Sequence, residues 1–124
     1  MPVITPPARL TQVVLVVALL LTIYLATTPL EYPVISDIND KLQHIFAFFT
    51  LAFLADHAFP KHIWNWRKFI PLLGYGLILE IIQYTIPGRF FSLLDLGADA
   101  LGLLVYTIFL SLLRNSHLQQ DSRN

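Results

Sequence analysis

The chain contains no cysteine, which removes disulfides, thiolate nucleophiles and cysteine-ligated zinc or iron–sulfur centres, and leaves the redox compartment open. Charge is scarce as well. Only 13% of the 124 residues are Asp, Glu, Lys or Arg, against about 25% in ordinary soluble domains. Eight basic and eight acidic side chains cancel, and no basic patch with interleaved aromatics stands out, so nucleic acid is not an expected partner. What is abundant is apolar: 56% of residues are hydrophobic. A water-soluble fold of this length could not bury that much apolar surface, so lipid is expected to be the solvent for much of it. The expected class is an all-α, polytopic membrane protein whose first partner is the lipid bilayer, with a homo-oligomer left open.

Apolar runs long enough to span a bilayer, roughly 17–25 residues each, occur at about 10–28, 42–59, 69–86 and 93–113. Pro29 and Pro33 follow the first run, Pro60 the second and Pro87-Gly88 the third, as helix-ending punctuation should. These limits predict a single four-helix transmembrane bundle over 1–124, with 114–124 a polar tail expected to fray. The first run is longer than the core of a secretory signal, about 7–15 residues, and 25–29 lacks the small-x-small cleavage pattern. A retained helix is expected there.

Lys and Arg orient the bundle. Arg9, Lys61, Arg67, Lys68, Arg114 and Arg123 fall on one side, Lys41 and Arg89 on the other, a six-to-two split. The positive-inside rule then places both termini in the cytoplasm of a cell whose inner membrane holds the protein. Trp64 and Trp66 suit an interfacial anchor on the same face.

With this topology the polar residues converge on the outer side. Asp40, Lys41 and His44 lie at the outer end of the second span, Glu80 and Gln83 in the outer half of the third with Arg89 just beyond, and Ser92, Asp95 and Asp99 at the outer entrance of the fourth. Glu80 and Gln83 are i, i+3 neighbours, while Asp95, Asp99, Gly102 and Tyr106 follow an i, i+4, i+7, i+11 stripe. Glu80 lies about 9 Å below the end of its span at 1.5 Å per residue, where an unpaired acid facing lipid costs roughly 2–3 kcal/mol or more. Such groups should turn inward toward Lys41, His44 and Arg89. Plainer roles exist for some of them. Ser92 with Asp95, and Asp40 with Gln43, read as capping boxes, and Gly74, Gly76, Gly97, Ala98 and Gly102 as small residues permitting close helix contact. Asp56 and His57, near the inner end of span two, are expected to reach water.

These residues resemble the signatures of the VanZ-like family of small bacterial membrane proteins. Asp40-Lys41-Leu42-Gln43-His44-Ile45-Phe46-Ala47-Phe48 is similar to that family's D-K-x-x-H-x-x-x-F block. Glu80-Ile81-Ile82-Gln83, Pro87-Gly88-Arg89, Ser92, Asp95 and Gly102 are similar to its E-x-x-Q … P-G-R … S-x-x-D … N-x-x-G pattern. The resemblance covers roughly 37–106, with one departure: Asp99 stands where the family pattern usually has Asn. It implies four-helix membrane topology and, through the founding member, an association with low-level teicoplanin resistance, but it supplies no agreed reaction.

Three functions compete on these residues. The favoured one is binding, without chemistry, of an anionic envelope lipid or cell-wall precursor headgroup. Lys41, His44 and Arg89 would hold phosphate or carboxylate, with Glu80, Gln83, Asp95 and Asp99 orienting them. The second is an intramembrane hydrolase of a lipid-linked phosphate or sugar, with His44 as acid or base, in which Glu80, Asp95, Asp99 and His44 could hold a hard metal. No HExxH, CxxC or GxSxG arrangement supports it, so no catalytic residue, cofactor or metal site is assigned. The third, an ion-coupled carrier, lacks matching polar residues in the inner half. A purely structural ion-pair cluster is the plain alternative to all three.

Overall fold

In the computed structural model, residues 7–27, 37–87 and 92–123 are described. They form four α-helices: α1 (Ala8–Thr27), α2 (Asp37–Ala58), α3 (Trp66–Tyr84) and α4 (Leu93–Arg123). The architecture is all-α, as expected, and several helix limits differ from those of the apolar runs. α2 begins at Asp37, a full turn before the apolar residues do, so Asp40 lies inside the helix and is not its N-cap. α3 begins at Trp66 because Asn65 caps it, its side-chain oxygen accepting from Arg67 N at 3.0 Å. Its other end turns off at Thr85, whose N–H donates to Ile82 O at 3.0 Å. α4 does not stop near 113: it continues to Arg123, so the tail expected to fray is helical.

α2 is the hub. It packs on α1, α3 and α4, whereas α1 and α4 do not meet among the described residues. Phe48, Leu51, Ala52, Ala55 and Ala58 form its buried stripe, at the i, i+3, i+4, i+7 spacing that one helix face requires. Leu15, Leu72, Leu79, Leu103 and Tyr106 close on that stripe from the other helices. Tyr106 is wrapped by rings, with Trp64 at 5.0 Å and Phe49 at 5.5 Å between centroids, both edge-on.

The outside of the bundle is apolar. Val17, Leu20, Leu25, Phe46, Ile70, Ile78, Leu93, Leu94, Ile108 and Leu112 are all exposed, far more than a water-soluble monomer presents. α1 and the 93–116 part of α4 are long and apolar enough to cross a membrane. α2 and α3 carry Lys41, His44, Asp56, Arg67, Lys68 and Glu80 within their lengths and do not meet the same measure. By length and composition, then, two of the four expected spans stand.

Candidate functional site

The site is built at the start of α4, where the first backbone N–H groups need acceptors from outside the helix. Ser92 Oγ accepts from Asp95 N at 3.2 Å, which is the expected cap. The reciprocal half is different. In a capping box Asp95 would accept from Ser92 N, but that N–H donates to Glu80 Oε2 of α3, at 3.2 Å. Glu80 is fully buried and caps a helix other than its own. The sequence pattern gives the cap of α4 to Ser92 and Asp95 alone, and the structure adds Glu80 to it. An anionic acceptor there also suits the positive end of the α4 dipole.

Released from the cap, Asp95 turns to α2. Its Oδ1 accepts from Lys41 Nζ at 2.6 Å, and its Oδ2 lies 3.8 Å from His44 Nε2. One turn along α4, Asp99 Oδ1 is 2.7 Å from His44 Nδ1. A carboxylate can only accept, so an ionised Asp99 sets the proton on Nδ1. Asp99 is 1% exposed, whereas Lys41 and His44 keep 29% and 19% of their side-chain surface open. The cluster is thus closed behind and open at its Lys41 side. Gln83, on the turn after Glu80, is buried as well. His44, Glu80 and Asp99 each offer a ligand atom within 4.8 Å of the other two. Of the seven residues expected at the site, Lys41, His44, Glu80, Asp95 and Asp99 come together in these contacts and Gln83 shares their buried face. Arg89 lies outside the described residues.

Two glycines make this convergence possible. A Cβ on Gly102 would sit 2.4 Å from the Ile45 carbonyl oxygen, so α4 meets α2 backbone to backbone beside His44. A Cβ on Gly76 would sit 2.8 Å from Asp99 Oδ2. The expected role of small residues therefore belongs to Gly76 and Gly102. Gly74 and Gly97 have nothing within 4 Å of an added Cβ and do not mediate contact.

Sequence reasoning missed a second polar knot at the opposite end of α2. Asp56 is not released to water. Its Oδ1 accepts from Lys68 Nζ at 3.0 Å and its Oδ2 from Tyr106 OH at 2.5 Å. Lys68 also donates to the carbonyls of Asp56, Phe59 and His62, at 3.2, 3.1 and 2.6 Å, pinning the α2–α3 connection. Trp64 likewise turns inward, donating from Nε1 to Thr107 Oγ1 at 2.9 Å. Trp66 stays exposed with Arg67 over its ring at 5.6 Å, and of the two tryptophans it alone fits the interfacial role. The one sequence signal for the knot was a Lys and an Asp twelve residues apart across a Pro-containing connection.

An α-helical bundle with an apolar exterior and a cluster of buried carboxylates facing a partly open imidazole and ammonium defines a small membrane protein with a polar site. The model of the VanZ/LLP1 family matches residues 7–114, most of the chain. The chain belongs to that family. Neither a curated protein nor a solved structure matches it.

Proposed function

We propose that the chain is a four-span protein of the bacterial inner membrane, both termini cytoplasmic, that binds the headgroup of an anionic envelope lipid or lipid-linked cell-wall precursor at the Lys41–His44–Asp95–Asp99 cluster. The observation that carries the reading is the position of this cluster. A partly open ammonium and imidazole, held by the buried carboxylates of another helix, lie on the same helical ends as exposed Leu42, Phe46, Leu93 and Leu94. A partly open polar cluster beside exposed apolar side chains suits an amphiphile. The headgroup reaches Lys41 and His44 while the chains stay in the bilayer. Lys41 donates point-charge hydrogen bonds to phosphate, and Arg89 is assigned as the planar second donor. Gln83 and Glu80, both buried, back the cluster. On family resemblance alone, the reading extends to a contribution to teicoplanin resistance.

Native mass spectrometry of the protein in mild detergent tests it. Wild type should carry one anionic lipid per chain, and Lys41→Ala or Arg89→Ala should lose it while the melting profile is kept. Wild type with no lipid, or variants that hold it as well, would refute the reading. Because the chain has no cysteine, single substitutions such as Lys61→Cys report topology without background. Labelling from the periplasm at that position would overturn the orientation.

The hydrolase reading has one observation of its own, the His44–Asp99 contact at 2.7 Å, since a carboxylate-oriented imidazole is a general-base arrangement. Release of inorganic phosphate from a polyprenyl phosphate, lost in His44→Ala, would favour it over binding alone.

A further inference from the structure

We propose that His44, Glu80 and Asp99 form a site for one divalent transition cation, Mn²⁺ or Zn²⁺, and that this cation receives the headgroup phosphate. The second half rests on the lipid-binding reading; the first stands without it.

The three donors come from α2, α3 and α4, and their ligand atoms lie within 4.8 Å of one another. A tetrahedral ion about 2.1 Å from each donor holds its ligand atoms about 3.4 Å apart, so donors that lie within 4.8 Å of one another have to close by up to about 1.4 Å, a movement on the scale of a side-chain rotation. One imidazole with two carboxylates selects a transition ion over Ca²⁺ or Mg²⁺, which prefer oxygen alone. These are not the solvated carboxylates of an acidic surface. Glu80 and Asp99 are 0% and 1% exposed. Asp99 is also backed at Oδ2 by Gly76, where any side chain would displace it. An ion would take the place of the His44 Nδ1 proton and shift that proton to Nε2, where Asp95 Oδ2, 3.8 Å away, would orient the ring once it closed to hydrogen-bond distance.

Charge points the same way. Glu80, Asp95 and Asp99 are three carboxylates. The permanent cations that the chain places at this end are Lys41 and, by sequence, Arg89. A phosphate entering such a site brings more negative charge into a medium that screens poorly. A bound divalent ion reverses the sign and offers phosphate oxygen an open coordination position.

The experiment uses the full chain in phosphatidylcholine nanodiscs, stripped with EDTA and titrated with Mn²⁺ under electron paramagnetic resonance. Wild type should take up one ion per chain. His44→Ala and Asp99→Asn should weaken uptake at least about tenfold, and Lys61→Ala should leave it unchanged. Wild type that shows no saturable Mn²⁺ binding by resonance and no saturable Zn²⁺ binding by titration calorimetry, each up to about 1 mM, overturns the proposal, and that result does not depend on any variant folding. Dioleoyl phosphatidate is then offered in detergent with EDTA or with Mn²⁺, and its retention is read by native mass spectrometry. Retention that needs Mn²⁺ supports the metal as phosphate receiver. Retention indifferent to EDTA overturns that role and leaves lipid binding standing. Metal uptake with phosphatidate retained in neither condition supports the metal site and sinks the lipid reading.

Discussion

Replacing Gly102 by alanine isolates the contact on which the whole site depends. The added Cβ would lie 2.4 Å from Ile45 O and 3.1 Å from both Phe48 Cβ and Phe49 N. Ordinary van der Waals contact begins near 3.4 Å, so the carbonyl must retreat by about 1 Å, and being backbone inside a helix it cannot rotate away. Overpacking of this kind costs about 1–3 kcal/mol, and two immovable neighbours place Gly102→Ala at the upper end. The displacement also acts on function. Ile45 follows His44, and Asp99 lies one turn before Gly102 on the same face. Separating α2 from α4 by even half of that distance stretches the 2.7 Å His44–Asp99 contact past 3.1 Å, beyond the range of about 2.7–2.9 Å that a charge-assisted hydrogen bond keeps, and weakens it. Thermal unfolding in detergent, with lipid retention measured in parallel, reads both effects. The control is Gly97→Ala on the same helix, where a Cβ meets nothing within 4 Å. It should be neutral or gain up to about 1 kcal/mol from helix propensity. Equal melting temperatures for Gly102→Ala and Gly97→Ala would show that α2 and α4 do not approach at this point, and the reasoning would fall.

Three further perturbations separate the ends of the bundle. Ser92→Ala removes the acceptor for Asp95 N and should cost about 1 kcal/mol. Glu80→Gln keeps an acceptor for Ser92 N but not its charge, so it should melt within about 1 kcal/mol of wild type; a larger loss would mean that Glu80 does more than cap α4. At the other end, Asp56→Ala removes the counter-charge of Lys68, which keeps its three carbonyl acceptors, and the acceptor of the buried Tyr106 hydroxyl, and should cost about 3 kcal/mol, with lipid and metal binding retained wherever the protein stays folded. Loss of binding at temperatures well below unfolding would show that the two polar clusters are coupled.

Much of the architecture is written along the chain. Sparse charge, no cysteine and four apolar runs between prolines are local facts, and they suffice for an all-α membrane bundle because lipid admits little else. The helical stripe from Asp95 to Tyr106 and the pairing of acids with Lys41 and His44 are legible for the same reason: spacing sets which side chains share a face, and burial obliges charges to meet. Tertiary structure decided the partners. Glu80 caps α4 because the chain brings α3 beside the Ser92 N–H, and this frees Asp95 for Lys41, a swap that a capping-box pattern within one helix cannot disclose. Asp56 binds Lys68 and Tyr106, and Trp64 turns to Thr107, because the α2–α3 connection folds back on the middle of α4. Of the glycines among the described residues, only Gly76 and Gly102 face another helix. A glycine looks the same in sequence whether the space beside it is filled or open, and only the approach of a neighbouring backbone tells the two apart.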